Sequence, residues 1–154
     1  MLILPPGITG VDVGLTPFTP ATSFRAFRTV CHTAARHLRG RTGEFRSCEC
    51  QVTPNFHAAE LHLRTGTFVL LCNAHYPWLA ALREWPNWTG HPFVGAADLD
   101  QVTKQNGDFR FLPPDELNEP PSAESLGNLS GAELTQCRYW QPERLGDVIF
   151  NFWD

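Results

Sequence analysis

Two short stretches hold the residue types from which a metal centre is built, Cys48-x-Cys50 in "SCECQV" and Cys72-x-x-His75 in "LCNAH". Tetrahedral zinc takes four nitrogen or sulfur donors at about 2.0–2.3 Å. Cys48, Cys50, Cys72 and His75 are suitable by type, and on a strand Cys48 and Cys50 would share one face. C-x-C is a poor zinc knuckle, however, and free cysteine is common packing in a buried strand. The second chemistry is nucleophilic. His57, His62, His75 and His91 cluster in sequence around Cys72 and Glu60, and a thiol in spatial contact with an imidazole could act as a nucleophile. None of G-x-S-x-G, H-E-x-x-H, a P-loop or G-x-G-x-x-G is present. His62 and Glu60 fall on one face of their strand and Leu61 and Leu63 on the other, which suits a solvated face as well as a site.

The elements that must position these groups read as α+β: an antiparallel sheet packed against one long N-terminal helix, in a single domain spanning 1–154. Residues 1–20 form an extended, Pro- and Gly-punctuated lead-in. Over 22–39, Phe24, Phe27, Cys31, Ala34, Ala35 and Leu38 repeat at helical spacing, Thr22 or Ser23 supplies the cap, and Gly40 the stop. Arg25, Arg28, Arg36 and Arg39 lie mostly off that apolar stripe, on a face that is either solvated or anion-binding. Three strands follow, "EFRSCECQV", "FHAAELHL" and "TFVLLCNAH", with a tight turn at Arg64-Thr65-Gly66. "PWLAALREW" reads as a short helix with Pro at its first turn, "AADLDQVTKQNG" as another ending at Gly107, and "DFRFL" as a strand. Residues 113–131, with four prolines and Asp115, Glu116, Glu119 and Glu124, form an acidic surface loop that has room for a helical turn. "AELTQCRYW" reads as a strand. In "GDVIFNFWD" both alternating faces are apolar, so it reads as a strand covered on two sides or a docked tail.

A chain of 154 residues buries roughly 70% of its unfolded surface. Its 42% hydrophobic and 12% aromatic content excludes global disorder. No apolar run approaches the ~20 residues of a membrane helix, and the opening "MLILPPGITG" lacks the basic region of a secretory signal. Five cysteines without scaffold spacing fit a reduced, cytoplasmic protein, in which the sequons at Asn87 and Asn128 carry no meaning. The net charge of −4 is unevenly spread. Residues 1–77 carry seven Arg against four acids, and residues 78–154 carry five bases against twelve acids. The acidic half, with most of the tryptophans, disfavours nucleic acid and serves either solubility or the steering of a basic protein partner.

The segment "YWQPERLGDVIFNFWD" resembles the C-terminal signature of small bacterial immunity proteins of polymorphic-toxin systems. Tyr139, Trp140, Pro142, Gly146, Asp147, Phe150, Asn151, Trp153 and Asp154 carry the likeness over about sixteen residues. The resemblance implies a cytoplasmic protein that binds and neutralises a cognate toxin, with no cofactor and no catalysis of its own. The expected contact residues are the anchors Trp85 and Trp88 and the acids Asp98, Asp100, Asp108, Asp115, Glu116, Glu119 and Glu124. The alternative is a small zinc-binding or hydrolytic enzyme using Cys and His residues of the 48–75 meander.

Overall fold

A computed structural model describes residues 1–11, 23–49, 53–87, 91–105 and 108–153. Five strands lie in sequence order across one sheet: β1 (Arg41–Arg46), β2 (Phe56–Leu63), β3 (Gly66–Asn73), β4 (Trp78–Leu82) and β5 (Phe93–Val94). All neighbours on this path are antiparallel. A short β6 (Arg110–Phe111) adds to β4 in parallel, so the sheet is mixed at that position. The fold is α+β, as the sequence predicts. Helix α1 (Phe24–His37) occupies the expected place, with Ser23 Oγ accepting from the Ala26 N–H at 3.0 Å. It is accompanied by α2 (Ala97–Lys104), α3 (Pro114–Leu117), α4 (Gly131–Trp140) and α5 (Leu145–Ile149), so helix is not confined to the N-terminal side.

The sheet is covered on both faces, and strand alternation decides which side chain goes where. Ala59, Leu61, Leu70, Cys72, Leu79 and Ala81 meet Phe27, Val30, Cys31 and Ala34 of α1 and Leu99 of α2. Phe56, Ala58, Val69, Leu71, Ala80 and Leu82 meet Leu2, Leu4 and Ile8 of the lead-in together with Leu117, Leu145, Val148, Ile149 and Phe150. Burial on two sides explains an error in the sequence reading. "WLAAL" is the strand β4 and not a helix, because a continuously apolar run has no period to distinguish the two.

Four further expectations are corrected. "AELTQCRYW" is helix α4, started by a capping box in which Ser130 Oγ accepts from the Glu133 N–H and Glu133 accepts from the Ser130 N–H. "GDVIFNFWD" is not a strand: α5 ends at Ile149, and a segment that is neither helix nor strand follows. Its burial is as expected, with Val148, Ile149 and Phe150 wholly enclosed. Residues 113–131 hold the helical turn they have room for, α3, but they are not all surface, since Leu117, Ser125 and Leu129 are buried. Finally, β1 stops at Arg46, short of the cysteines expected on it. Thr22, Cys50, Trp88, Gly107 and Asp154 lie outside the described residues.

The lead-in and the segment after α5 are held by side-chain amides. Asn55 Nδ2 donates to the carbonyls of Ile8, Thr9 and Ile149, and Asn73 Nδ2 to those of Ile8 and Ile149 at 2.8 Å each. Asn151 donates its N–H to Asn55 Oδ1 at 2.8 Å and its side-chain amide to the carbonyls of Thr9 and Val148. Buried Glu133 accepts from the N–H groups of Gly7 and Thr9 and from the Thr9 hydroxyl at 2.6 Å.

Candidate functional site

Along β2, Phe56, Ala58, Glu60 and His62 point to the face covered by the lead-in and α5. Phe56 and Ala58 are buried, whereas Glu60 and His62 reach solvent, with side chains 25% and 30% exposed. His62 Nε2 lies 2.6 Å from Glu60 Oε1, and His62 Nδ1 lies 3.2 Å from the hydroxyl of Thr67, its cross-strand partner. The second carboxylate oxygen of Glu60 accepts from the Trp85 indole N–H at 3.2 Å. The guanidinium of Arg46 lies over the same indole, 3.9 Å from its centroid, and its Nε donates to Glu44 at 2.6 Å. Trp85 is thus fixed in its plane by Glu60 and across its face by Arg46.

Room for this string comes from β1. The register slips between Thr42 and Phe45, and Gly43 passes directly over the Glu60–His62 pair. A Cβ on Gly43 would stand 2.6 Å from Glu60 Oε1 and 2.9 Å from His62 Nε2. Next to the string opens a cleft of about 350 Å³, with Phe56, Ala58 and Phe152 in its lining, Pro86 and Trp85 beside them, and Arg46 contributing charge. An aromatic and proline lining with a few placed polar groups is the usual composition of a binding pocket.

Of the expected contact residues, Trp85 belongs to this cleft. Its polar partners come from β1 and β2, not from the acidic stretch that follows it in sequence. Asp98, Asp108, Asp115 and Glu124 are exposed, while Asp100, Glu116 and Glu119 are half-buried. Lys104 approaches Asp100 at 3.4 Å and Arg110 donates to Glu116 at 3.1 Å, so two of the acids are locally compensated. Arg46 escaped the sequence reading because it stands far from Trp85 in the chain and joins it only through strand pairing.

Of the expected zinc ligands, Cys72 and His75 separate. Cys72 is wholly buried under α1, while His75 lies beyond β3 on the other side, close to Gly10. Among the described residues no group of three His, Cys, Asp or Glu side chains could hold a metal ion. Instead Cys48 meets buried His57, with Sγ 3.3 Å from Nδ1. This is not an activated thiol. The same Nδ1 accepts from the Cys48 backbone N–H at 3.1 Å, and burial pushes the thiol up to about 11. Burial also raises Cys31 and Cys72, so none of the three is poised as a thiolate near neutral pH.

The residues behind the C-terminal resemblance divide between core and surface. Phe150, Asn151 and Gly146 are buried, Gly146 directly against the Phe93 ring. Tyr139 and Trp140 are exposed, and Trp140 stacks parallel to Trp153 at 6.5 Å. Among the described residues no helix is long and apolar enough to cross a membrane. No family model matches the sequence, and no curated protein or solved structure matches it either.

Proposed function

We propose that this chain is an immunity-type protein that binds a cognate bacterial toxin in the cytoplasm and blocks it without catalysis of its own. The observation that carries this reading is the cleft beside Trp85, whose indole is already locked by Glu60 and Arg46. Tryptophan and arginine are the residues most enriched among binding hot spots, and fixing them in advance lowers the entropy lost on docking. The exposed acids Asp98, Asp108, Asp115 and Glu124 would steer a basic toxin towards the surface. The free cysteines Cys31, Cys48, Cys72 and Cys137 fit a reducing compartment. The test is to read the gene immediately upstream for a secreted protein with a C-terminal toxin domain and to co-express that domain with this chain. Relief of toxicity and a co-purifying complex are expected. Trp85→Ala should weaken that complex by about 2 kcal/mol or more, roughly thirtyfold. A toxin that stays active and unbound refutes the reading.

One observation favours a second reading, hydrolysis. Thr67, His62 and Glu60 form a hydroxyl–imidazole–carboxylate chain at 3.2 and 2.6 Å, the order of groups in a hydrolytic triad. Turnover of an activated ester such as p-nitrophenyl acetate, abolished in Thr67→Val and in His62→Gln, would establish it. Turnover indifferent to both substitutions would dismiss it.

A further inference from the structure

The solvent face of α1 carries a positive charge pattern that no ion pair among the described residues neutralises. Arg25, Arg28, His32 and Arg36 recur at intervals of three, four and four residues. At 100° per residue they fall within an arc of about 80°, roughly 17 Å long. All four are exposed, and they stand opposite the buried Phe27, Val30, Cys31, Ala34 and Ala35. Arg39 and Arg41, both exposed, follow directly, and residues 24–42 contain no Asp or Glu. The ion pairs among the described residues involve Arg46, His62, Lys104, Arg110 and Arg144, and none of the arginines of this stretch. Apart from Asp12 and Asp154, every acidic residue of the chain is described.

Helix stability does not explain the stripe. The first turn of α1 has no acidic residue of its own, and although Glu49 accepts from the Phe24 N–H at 2.9 Å, Arg25 stands against the sign of the helix dipole. Like charges three and four residues apart repel each other along the helix. Nor does solubility explain it, since in a chain of net charge −4 added positive charge lowers the magnitude of the total. Part of the stripe is also held in place. The Arg28 guanidinium packs over the rings of Phe24 and Phe45 at 5.7 and 5.2 Å, and His32 lies 5.2 Å from Phe45.

We propose that this face of α1 docks an acidic protein segment, whose carboxylates are taken by the guanidinium groups of Arg25, Arg28 and Arg36. Planar guanidinium matches carboxylate geometry in a bidentate fashion. An acidic protein is favoured over nucleic acid because residues 78–154 carry seven more acids than bases and repel a long polyanion. A stripe of roughly 17 Å would also neutralise few phosphates. The proposal rests on α1 alone and stands whether or not the partner at the Trp85 cleft is a toxin.

The full-length protein should be titrated at low ionic strength with fluorescein-labelled poly-L-glutamate and, separately, with a short DNA duplex of random sequence. Arg25→Gln/Arg36→Gln should weaken poly-L-glutamate binding about tenfold or more, with an unchanged melting temperature. Arg64→Gln/Arg138→Gln removes the same charge from exposed positions off the stripe and should change binding less than about twofold. Absence of poly-L-glutamate binding overturns the proposal, as does equal weakening in the two variants. Tighter binding of the duplex through Arg25 and Arg36 would make the face a nucleic-acid contact and overturns it as well.

Discussion

Removing residues 148–154 tests whether the segment after α5 is core or interface. The deletion takes out Val148, Ile149 and Phe150, all wholly buried. Each is worth about 1.5–3 kcal/mol of transfer free energy, so together they contribute about 5–9 kcal/mol. Phe150 leaves ring contacts with Phe56 and Phe93 at 6.0 and 6.1 Å. The polar loss adds to this. Asn55 and Asn73 lose the Ile149 carbonyl as acceptor, and Asn55 Oδ1 loses the Asn151 N–H. Each buried group left unpaired costs about 1–3 kcal/mol. Against a typical total of about 5–15 kcal/mol, the shortened chain is expected to be unfolded at 25 °C by circular dichroism, without a cooperative melt. A shorter deletion of residues 152–154 removes only partly buried Phe152 and Trp153 among the described residues. It should leave a folded protein that melts several degrees lower, at a cost of about 1–3 kcal/mol. A 148–154 deletion that melts with an unchanged midpoint would refute the packing argument and make the segment a partner surface.

Glu133→Gln replaces a carboxylate that accepts four hydrogen bonds with an amide that must turn its NH2 towards donors, so a loss of about 2–4 kcal/mol in urea unfolding is expected. His91 donates from Nε2 to the Phe150 carbonyl at 2.8 Å, while its Nδ1 is buried without a partner among the described residues. Burial lowers its pKa, opposed by Asp147 and the Phe150 carbonyl and assisted by Arg144. A histidine depressed in the folded state contributes its full stability above the unfolded value of about 6.5 and loses it as pH falls from there towards the folded value. The melting temperature should therefore drop below pH 6.5, and less steeply in His91→Gln; identical slopes would exclude His91 as the source. Gly43→Ala should push Glu60 and His62 apart and cost about 1–3 kcal/mol, with a shift in Trp85 emission reporting the broken string. An unaltered spectrum and melt would show that the β1 bulge relaxes freely.

Where side chains repeat with a period, the sequence was legible. α1 and β2 follow from their apolar spacing, while β3, apolar on both faces, is marked by the turn that joins it to β2, with Gly66 at φ +127°. Period fails where a strand is buried on both sides, as in β4, since every position is then apolar whatever the conformation; α5, about a turn and a half around Asp147, is too short to show a helical period. α4 was legible by another signal, Ser130 followed by Glu133, but its apolar positions make no clear stripe, and the aromatic Tyr139-Trp140 pair mimics a strand. The site was half visible. Alternation placed Glu60 and His62 together, whereas Arg46 joins Trp85 only through the pairing of β1 with β2 and of β3 with β4, which no local pattern encodes.

The buried amides answer a problem set by the topology. The lead-in and the segment after α5 cover one face of the sheet, yet both include stretches that are neither helix nor strand, so their backbone groups have no ladder to join. Buried without partners, those carbonyls would cost more than their apolar neighbours return. Asn55 precedes β2 and Asn73 ends β3, which brings two amides to the same end of the sheet. There they bond the carbonyls of Ile8, Thr9 and Ile149 together, and Asn151 returns the contact from the other side. Apolar packing alone would let either segment slide along the sheet, because it is non-directional. Hydrogen bonds of fixed length and angle admit one register. That register carries Phe152 into the cleft beside Trp85, so the amides next to the cleft's lining residues determine its shape.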